Sequence, residues 1–182
     1  ISSNNLSGNK GTRFSVVRYG NVLDSRGSVV PLFRKLIGDG SAFLPITDPE
    51  MTRFWITLPQ AVRFVLSCLE TMRGGEIFVP KIPSTSITDL AKALAPEMPT
   101  KTIGIRPGEK LHEVLLTKDD ARHSLEFNDR YIIEPEFVFW EKTREPYENA
   151  AHVAKDFQYD SVTNNWRLSI KDLQSLLGSS GT

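Results

Sequence analysis

Apolar residues recur along this chain in short runs, and the spacing inside each run separates strand from helix. Residues 13–17 form a compact, β-branched run between Gly11 and Gly20, which predicts a buried strand. Residues 29–37 place apolar side chains at helical spacing, with Pro31 near the start and Gly38 at the end. A polar loop over 39–49 leads to a second strand-like run over 51–56. A helix follows: Thr57 caps it, Pro59 fits its first turn, and Val62, Val65, Leu66 and Leu69 supply one apolar face. Gly74 and Gly75 end that helix before a strand over 76–80. Ser86 with Asp89 makes a capping-box start, backed by Leu90, Ala91 and Leu94. Residues 102–105 read as strand and 110–116 as helix.

The pattern loosens beyond Thr117. Residues 119–123 read as a solvated helix start, 131–133 as a strand, 141–151 as a polar loop, and 169–177 as a final helix capped by Ser169. Residues 4–8 have the look of a helix end, and 178–182 of a flexible tail. Helices alternate with short strands and no repeat intervenes, so the class is α/β over residues 1–177.

Composition narrows the function classes. Of 182 residues, 40% are apolar and 24% charged, as in ordinary soluble domains, and the formal net charge is +0. Nothing there favours nucleic acid or another polyanion. Cys68 is alone, so no internal disulfide forms, and its apolar setting suits a buried hydrophobe. No run approaches the roughly 20 apolar residues that span a bilayer, and no secretory signal is visible, so a soluble, cytoplasmic protein is expected. His112, His123 and His152 are widely separated, which gives no metal-ligand spacing. Gly-x-Ser-x-Gly, Gly-x-Gly-x-x-Gly and Walker patterns are absent from the sequence.

Three clusters at strand or loop ends, and one turn, suit an anionic ligand. Arg18-Tyr19-Gly20-Asn21-Val22 follows the first strand, where open α/β sheets bind ligands; glycine permits close approach and asparagine can donate and accept. Val29, Val30, Pro31, Leu32 and Phe33 form a helix entrance with free amides; an ordinary core helix is the alternative. Arg53 lies between apolar neighbours and needs a partner, either phosphate or a salt bridge to Asp48 or Glu50. In Arg106-Pro-Gly-Glu109 a turn sets a guanidinium fork beside a carboxylate, suited to phosphate and to sugar hydroxyls.

In this order, with Met51-Thr-Arg-Phe-Trp-Ile, Gly75-Glu-Ile-Phe-Val-Pro and Ile105-Arg-Pro-Gly-Glu-Lys-Leu-His-Glu, the clusters resemble the second half of the extended short-chain dehydrogenase/reductases. The resemblance is strongest to the inverting UDP-N-acetylglucosamine 4,6-dehydratases that open the pseudaminic acid pathway, and it covers residues 1–177. It implies the C-terminal part of a Rossmann-type fold: a small mixed α/β substrate-binding domain plus the last strands and helices of the nucleotide-binding sheet. It also implies that Val29 to Phe33 enclose uridine and diphosphate, that Arg53 and Arg106 clamp the phosphates, and that Glu109 accepts from the ribose. Asn21 would stand where cofactor and substrate meet, with Tyr19 and Val22 near the nicotinamide of NADP.

In that family the cofactor takes a hydride from C4, water leaves from C6, and the hydride returns there as C5 is reprotonated with inversion. The chain departs from the family in lacking both the Gly-rich loop and a Tyr-x-x-x-Lys pair. The resemblance therefore implies a substrate-binding half, with no catalytic residue of its own, inactive alone, and a homo-oligomeric parent. A non-catalytic sugar-nucleotide module, or half of a related UDP-sugar epimerase or retaining dehydratase, are the alternatives.

Overall fold

The computed structural model describes residues 12–136, 147 and 150–179. In chain order the strands are β1 (Val16–Val17), β2 (Asn21–Val22), β3 (Leu44–Ile46), β4 (Thr52–Ile56), β5 (Ile77–Pro80), β6 (Ser84–Ser86), β7 (Thr100–Thr102), β8 (Val114–Leu116), β9 (Ser124–Glu126), β10 (Arg130–Ile133), β11 (Ala151–His152) and β12 (Tyr159–Asp160). The helices are α1 (Val29–Gly38), α2 (Leu58–Thr71), α3 (Ile87–Leu94), α4 (Lys118–Ala121) and α5 (Ile170–Ser179). The α/β class expected from the sequence is the class observed. Parallel and antiparallel pairings both occur.

The chain folds as two compact units. The first comprises the residues up to Tyr19, Pro59–Lys81 and Leu115–Tyr159. Its five-stranded sheet runs β1-β5-β10-β9-β11, with β1 parallel to β5 and β10 antiparallel to both neighbours. Phe64 and Cys68 of α2 pack with Phe78 and Ile132 of the sheet. Burial lifts the Cys68 thiol above its ordinary pKa, so it behaves as a small hydrophobe. Glu76 is wholly enclosed, yet it accepts from Ser15 Oγ at 2.7 Å, from the Arg73 and Gly74 amides at 2.7 and 2.8 Å, and from Tyr147 Oη at 2.9 Å. Those four donors make its burial tolerable.

The second unit comprises Gly20–Leu58, Ile82–Val114 and Asp160–Thr182. A three-stranded sheet runs β2-β4-β6, and β3 pairs in parallel with β7. Val30, Phe33, Leu44, Leu90 and Leu173 are inaccessible to solvent, and they join α1, α3 and α5 into one core with Met51, Trp55 and Ile87. Each large side chain so buried contributes roughly 1.5–3 kcal/mol. Gly20 is required here: a Cβ at that position would lie 2.4 Å from Phe54 Cβ and 2.7 Å from the Phe54 oxygen, so β2 could not reach β4.

Several expectations are revised. Residues 110–116 are not helical; they form a turn leading into β8. The carbonyls that a helix would use internally are taken by β4: Leu111 O accepts from the Thr52 amide at 3.1 Å and from Arg53 Nη1 at 3.0 Å, and Lys110 O from Arg53 Nη2 at 2.8 Å. The loop over 39–49 contains β3, and the strand near 102–105 is displaced to β7. On α2 the buried flank is Ala61, Phe64 and Cys68, whereas Val62, Leu66 and Leu69 of the expected face are exposed, with Leu58 beside them. Residues 4–8, 180–182 and most of the 141–151 loop lie outside the described residues, and α5 extends through Ser179.

Candidate functional site

One cavity of the second unit, about 280 Å³, gathers most of the sequence-marked residues. Asn21, Val29, Leu32, Phe33, Arg53, Arg106 and Glu109 line it, together with Ser28, Pro45, Ile46, Thr47, Met51, Trp55 and Ile87. Its floor is made by the core: Phe33, Ile46, Met51, Trp55 and Ile87 belong to the apolar cluster. Its charged side is the Arg106–Glu109 turn, closed by the Glu109 amide donating to Arg106 O at 3.0 Å. Gly108 sits at φ 82°, the left-handed value that the third residue of a type II Pro-Gly turn needs. Glu109 also accepts from the Arg106 amide at 3.3 Å and from Thr47 Oγ1 at 3.4 Å.

The two arginines differ. Arg53 is mostly engaged: Nη1 donates to Thr52 O and Leu111 O, Nη2 to Lys110 O, and Glu109 and Glu113 each lie 3.9 Å from the guanidinium. Its partners are thus main-chain oxygens and these two glutamates, in place of Asp48 or Glu50. At most two of its five N–H groups remain for a ligand. The exposed Arg106 guanidinium has no ion-pair partner among the described residues.

Glu113 was not marked by the sequence, because 110–116 read as helix. It ties the site together: Oε1 accepts from Asn21 Nδ2 at 2.9 Å, and Oε2 accepts from the Phe54 amide at 2.9 Å. The Glu113 amide donates to Ser161 Oγ, which shares a hydrogen bond with Thr52 Oγ1 at 2.7 Å; Thr52 Oγ1 also meets His112 Nδ1 at 2.8 Å. Since Asn21 Nδ2 also reaches Phe54 O at 3.4 Å, both its hydrogens are spent, and Asn21 offers a ligand its amide oxygen.

Other marked residues fall elsewhere. Val30 is wholly inside the core and Pro31 is not part of the lining. Tyr19, in the first unit, is 37% exposed, and Val22 pairs with Ile56; neither lines the cavity. Arg18 pairs with Asp120 at 3.0 Å and donates to Leu115 O. Among the described residues no group of acidic, histidine or cysteine side chains is arranged to hold a metal, and no helix is long and apolar enough to cross a membrane.

Fold and cavity together define an α/β protein with a site suited to an anionic, hydroxyl-bearing ligand. The chain belongs to the family described as polysaccharide biosynthesis protein, which matches residues 1–135. It is 52% identical, over 97% of its length, to the UDP-N-acetylglucosamine 4,6-dehydratase (inverting) of Campylobacter jejuni subsp. jejuni serotype O:2, of which the match covers 54%. It is 39% identical over 91% of its length to the UDP-glucose 4-epimerase of Rickettsia canadensis, covering 49% of that protein. Among solved structures, Pen from Bacillus thuringiensis matches 99% of this chain and 54% of its own, with TM-score 0.84 and 34% identity. The chain spans about half the length of the curated relatives it matches. These likenesses bear out the resemblance to the C-terminal half of the extended short-chain dehydrogenase/reductases.

Proposed function

We propose that this protein is the UDP-sugar-binding half of an NADP-dependent, C5-inverting UDP-N-acetylglucosamine 4,6-dehydratase, a cytoplasmic lyase that performs the first step of pseudaminic acid biosynthesis as a homo-oligomer. The observation that carries the reading is the convergence of Arg106, Glu109, Asn21 and the α1 entrance on one cavity. The unpaired Arg106 fork suits the diphosphate, and the remaining donors of Arg53 suit the same group from the β4 side. Glu109 accepts from ribose hydroxyls, and the apolar floor takes the base. A cavity of about 280 Å³ falls just below the range of ligand sites, about 300–1,000 Å³, so the sugar extends past it. Holding the nucleotide at two points orients that sugar.

Tyr19, Asn21 and Val22 are this chain's share of the NADP site, most of which belongs to the rest of the parent enzyme. Asn21 presents its amide oxygen there, because its donors are committed to Glu113 and Phe54. The chief contribution of this chain is substrate binding. The 39% identity to a UDP-glucose 4-epimerase keeps an epimerase parent as a second reading; the C5 configuration of the parent's product, read by NMR, decides between them.

Calorimetric titration with UDP-N-acetylglucosamine tests the binding. The folded protein should release or absorb heat, and Arg106→Ala should weaken binding about tenfold or more, the scale of a lost charge-assisted contact at about 1.5–3 kcal/mol. A folded protein that gives neither heat nor a melting shift overturns the reading. Turnover of the nucleotide sugar by the 182-residue chain alone overturns the division of labour.

A further inference from the structure

Two residues that line the cavity each carry a buried polar atom without a partner among the described residues: Trp55 Nε1 and Ser28 Oγ. Trp55 is 2% exposed and belongs to the core, so an indole N–H with no acceptor costs stability there. Ser28 is the N-cap of α1, yet its side chain makes no capping bond. The sequence accounts for part of this: the third helical residue is Pro31, which removes one of the two amides that a cap hydroxyl ordinarily accepts from. The hydroxyl is left without a capping partner, on a residue that lines the cavity as Val29 does at the helix start.

The position of the indole selects the ligand atom. Trp55 clusters with Phe33, Ile46, Met51 and Ile87, whereas Arg53, Arg106 and Glu109 form the charged side of the cavity. A phosphate oxygen against that apolar floor would lose its hydration without a countercharge. A neutral carbonyl oxygen on a flat or small group needs only one donor and tolerates apolar walls. Resting on the nucleotide-sugar reading above, we propose that Trp55 Nε1–H, with Ser28 Oγ as a second group, forms a specificity subsite that hydrogen-bonds a neutral carbonyl oxygen of the ligand. In a UDP-N-acetyl sugar that oxygen belongs either to the uracil ring or to the acetamido group.

Trp55→Phe removes the donor and keeps an aromatic ring in the core. UDP, UDP-glucose and UDP-N-acetylglucosamine are titrated into both proteins. A loss of about tenfold for all three assigns the oxygen to uracil. A loss for UDP-N-acetylglucosamine alone assigns it to the acetamido group, and either supports the subsite. Binding by the unaltered protein that Trp55→Phe leaves within twofold for every ligand overturns the subsite alone; no binding by the unaltered protein sinks the nucleotide-sugar reading and the subsite with it.

The three tryptophans of the chain give three indole N–H signals in the unaltered protein. The Trp55 signal is identified by its loss in Trp55→Phe, or by elimination with Trp140→Phe and Trp166→Phe should that variant not fold. It should move downfield with UDP-N-acetylglucosamine and stay in place with inorganic pyrophosphate. A shift with pyrophosphate would place a phosphate on the indole and overturn the assignment.

Discussion

At the scale of single residues, Glu113 organises more of the site than any residue that contacts the cavity. Its two oxygens fix the Asn21 amide and the β4 backbone, and its own amide is held by Ser161. Glu113→Gln keeps an acceptor for one of these donors but loses the charge that orients Asn21. Calorimetry should show binding weakened several-fold at near-normal stability, while Glu113→Ala should lose both binding and stability. Equal affinities in all three proteins would remove Glu113 from the site. Asp120 is a different kind of residue. Burial opposes its ionisation, but bonds from the Thr117 amide and hydroxyl and from Arg18 outweigh this and hold its pKa below the ordinary carboxyl value. Its folded form thus gives up the proton more readily than the unfolded chain. The stability gained is complete above the unfolded pKa and is lost as pH falls through the lowered folded value. Urea titrations below about pH 4 should therefore show a shallower acid loss for Asp120→Asn than for the parent protein.

At the scale of elements, the helix α1 and the strand β4 were legible because their signals are local: spacing, a proline near the start, a glycine at the end. The segment 110–116 was not, because the groups that decide it come from β4, about 58 residues away in sequence. The same limit hid Glu113, whose role depends on that segment being extended. Ser28 was readable in part, since a proline three residues after a serine cap removes one of the two usual partners of its hydroxyl. Periodicity located α2 but could not say which flank of a broad apolar arc meets the sheet. Phe64→Ala should cost about 3–5 kcal/mol by chemical denaturation. Leu66→Ala, on the exposed flank, should stay within about 0.5 kcal/mol. Comparable losses at the two positions would show that both flanks are packed.

At the scale of the whole molecule, the α/β class and the gathering of an arginine, a glutamate and a helix entrance could be foreseen from residue order. The absence of Val22 from the cavity lining could not, because its pairing with Ile56 joins strands far apart in sequence. The exposed flank of α2 also has a colloidal consequence. Leu58, Val62, Leu66 and Leu69 are 62%, 49%, 55% and 59% exposed on one helix face, in a chain whose pI is about 7.0. Near neutrality little charge repulsion keeps such faces apart. Solubility should pass through a minimum close to pH 7 and rise on either side, as read by polyethylene glycol precipitation. Leu66→Lys with Leu69→Lys should lift that minimum while leaving the melting temperature unchanged, which makes the buffer's pH as consequential for handling this protein as its ligand.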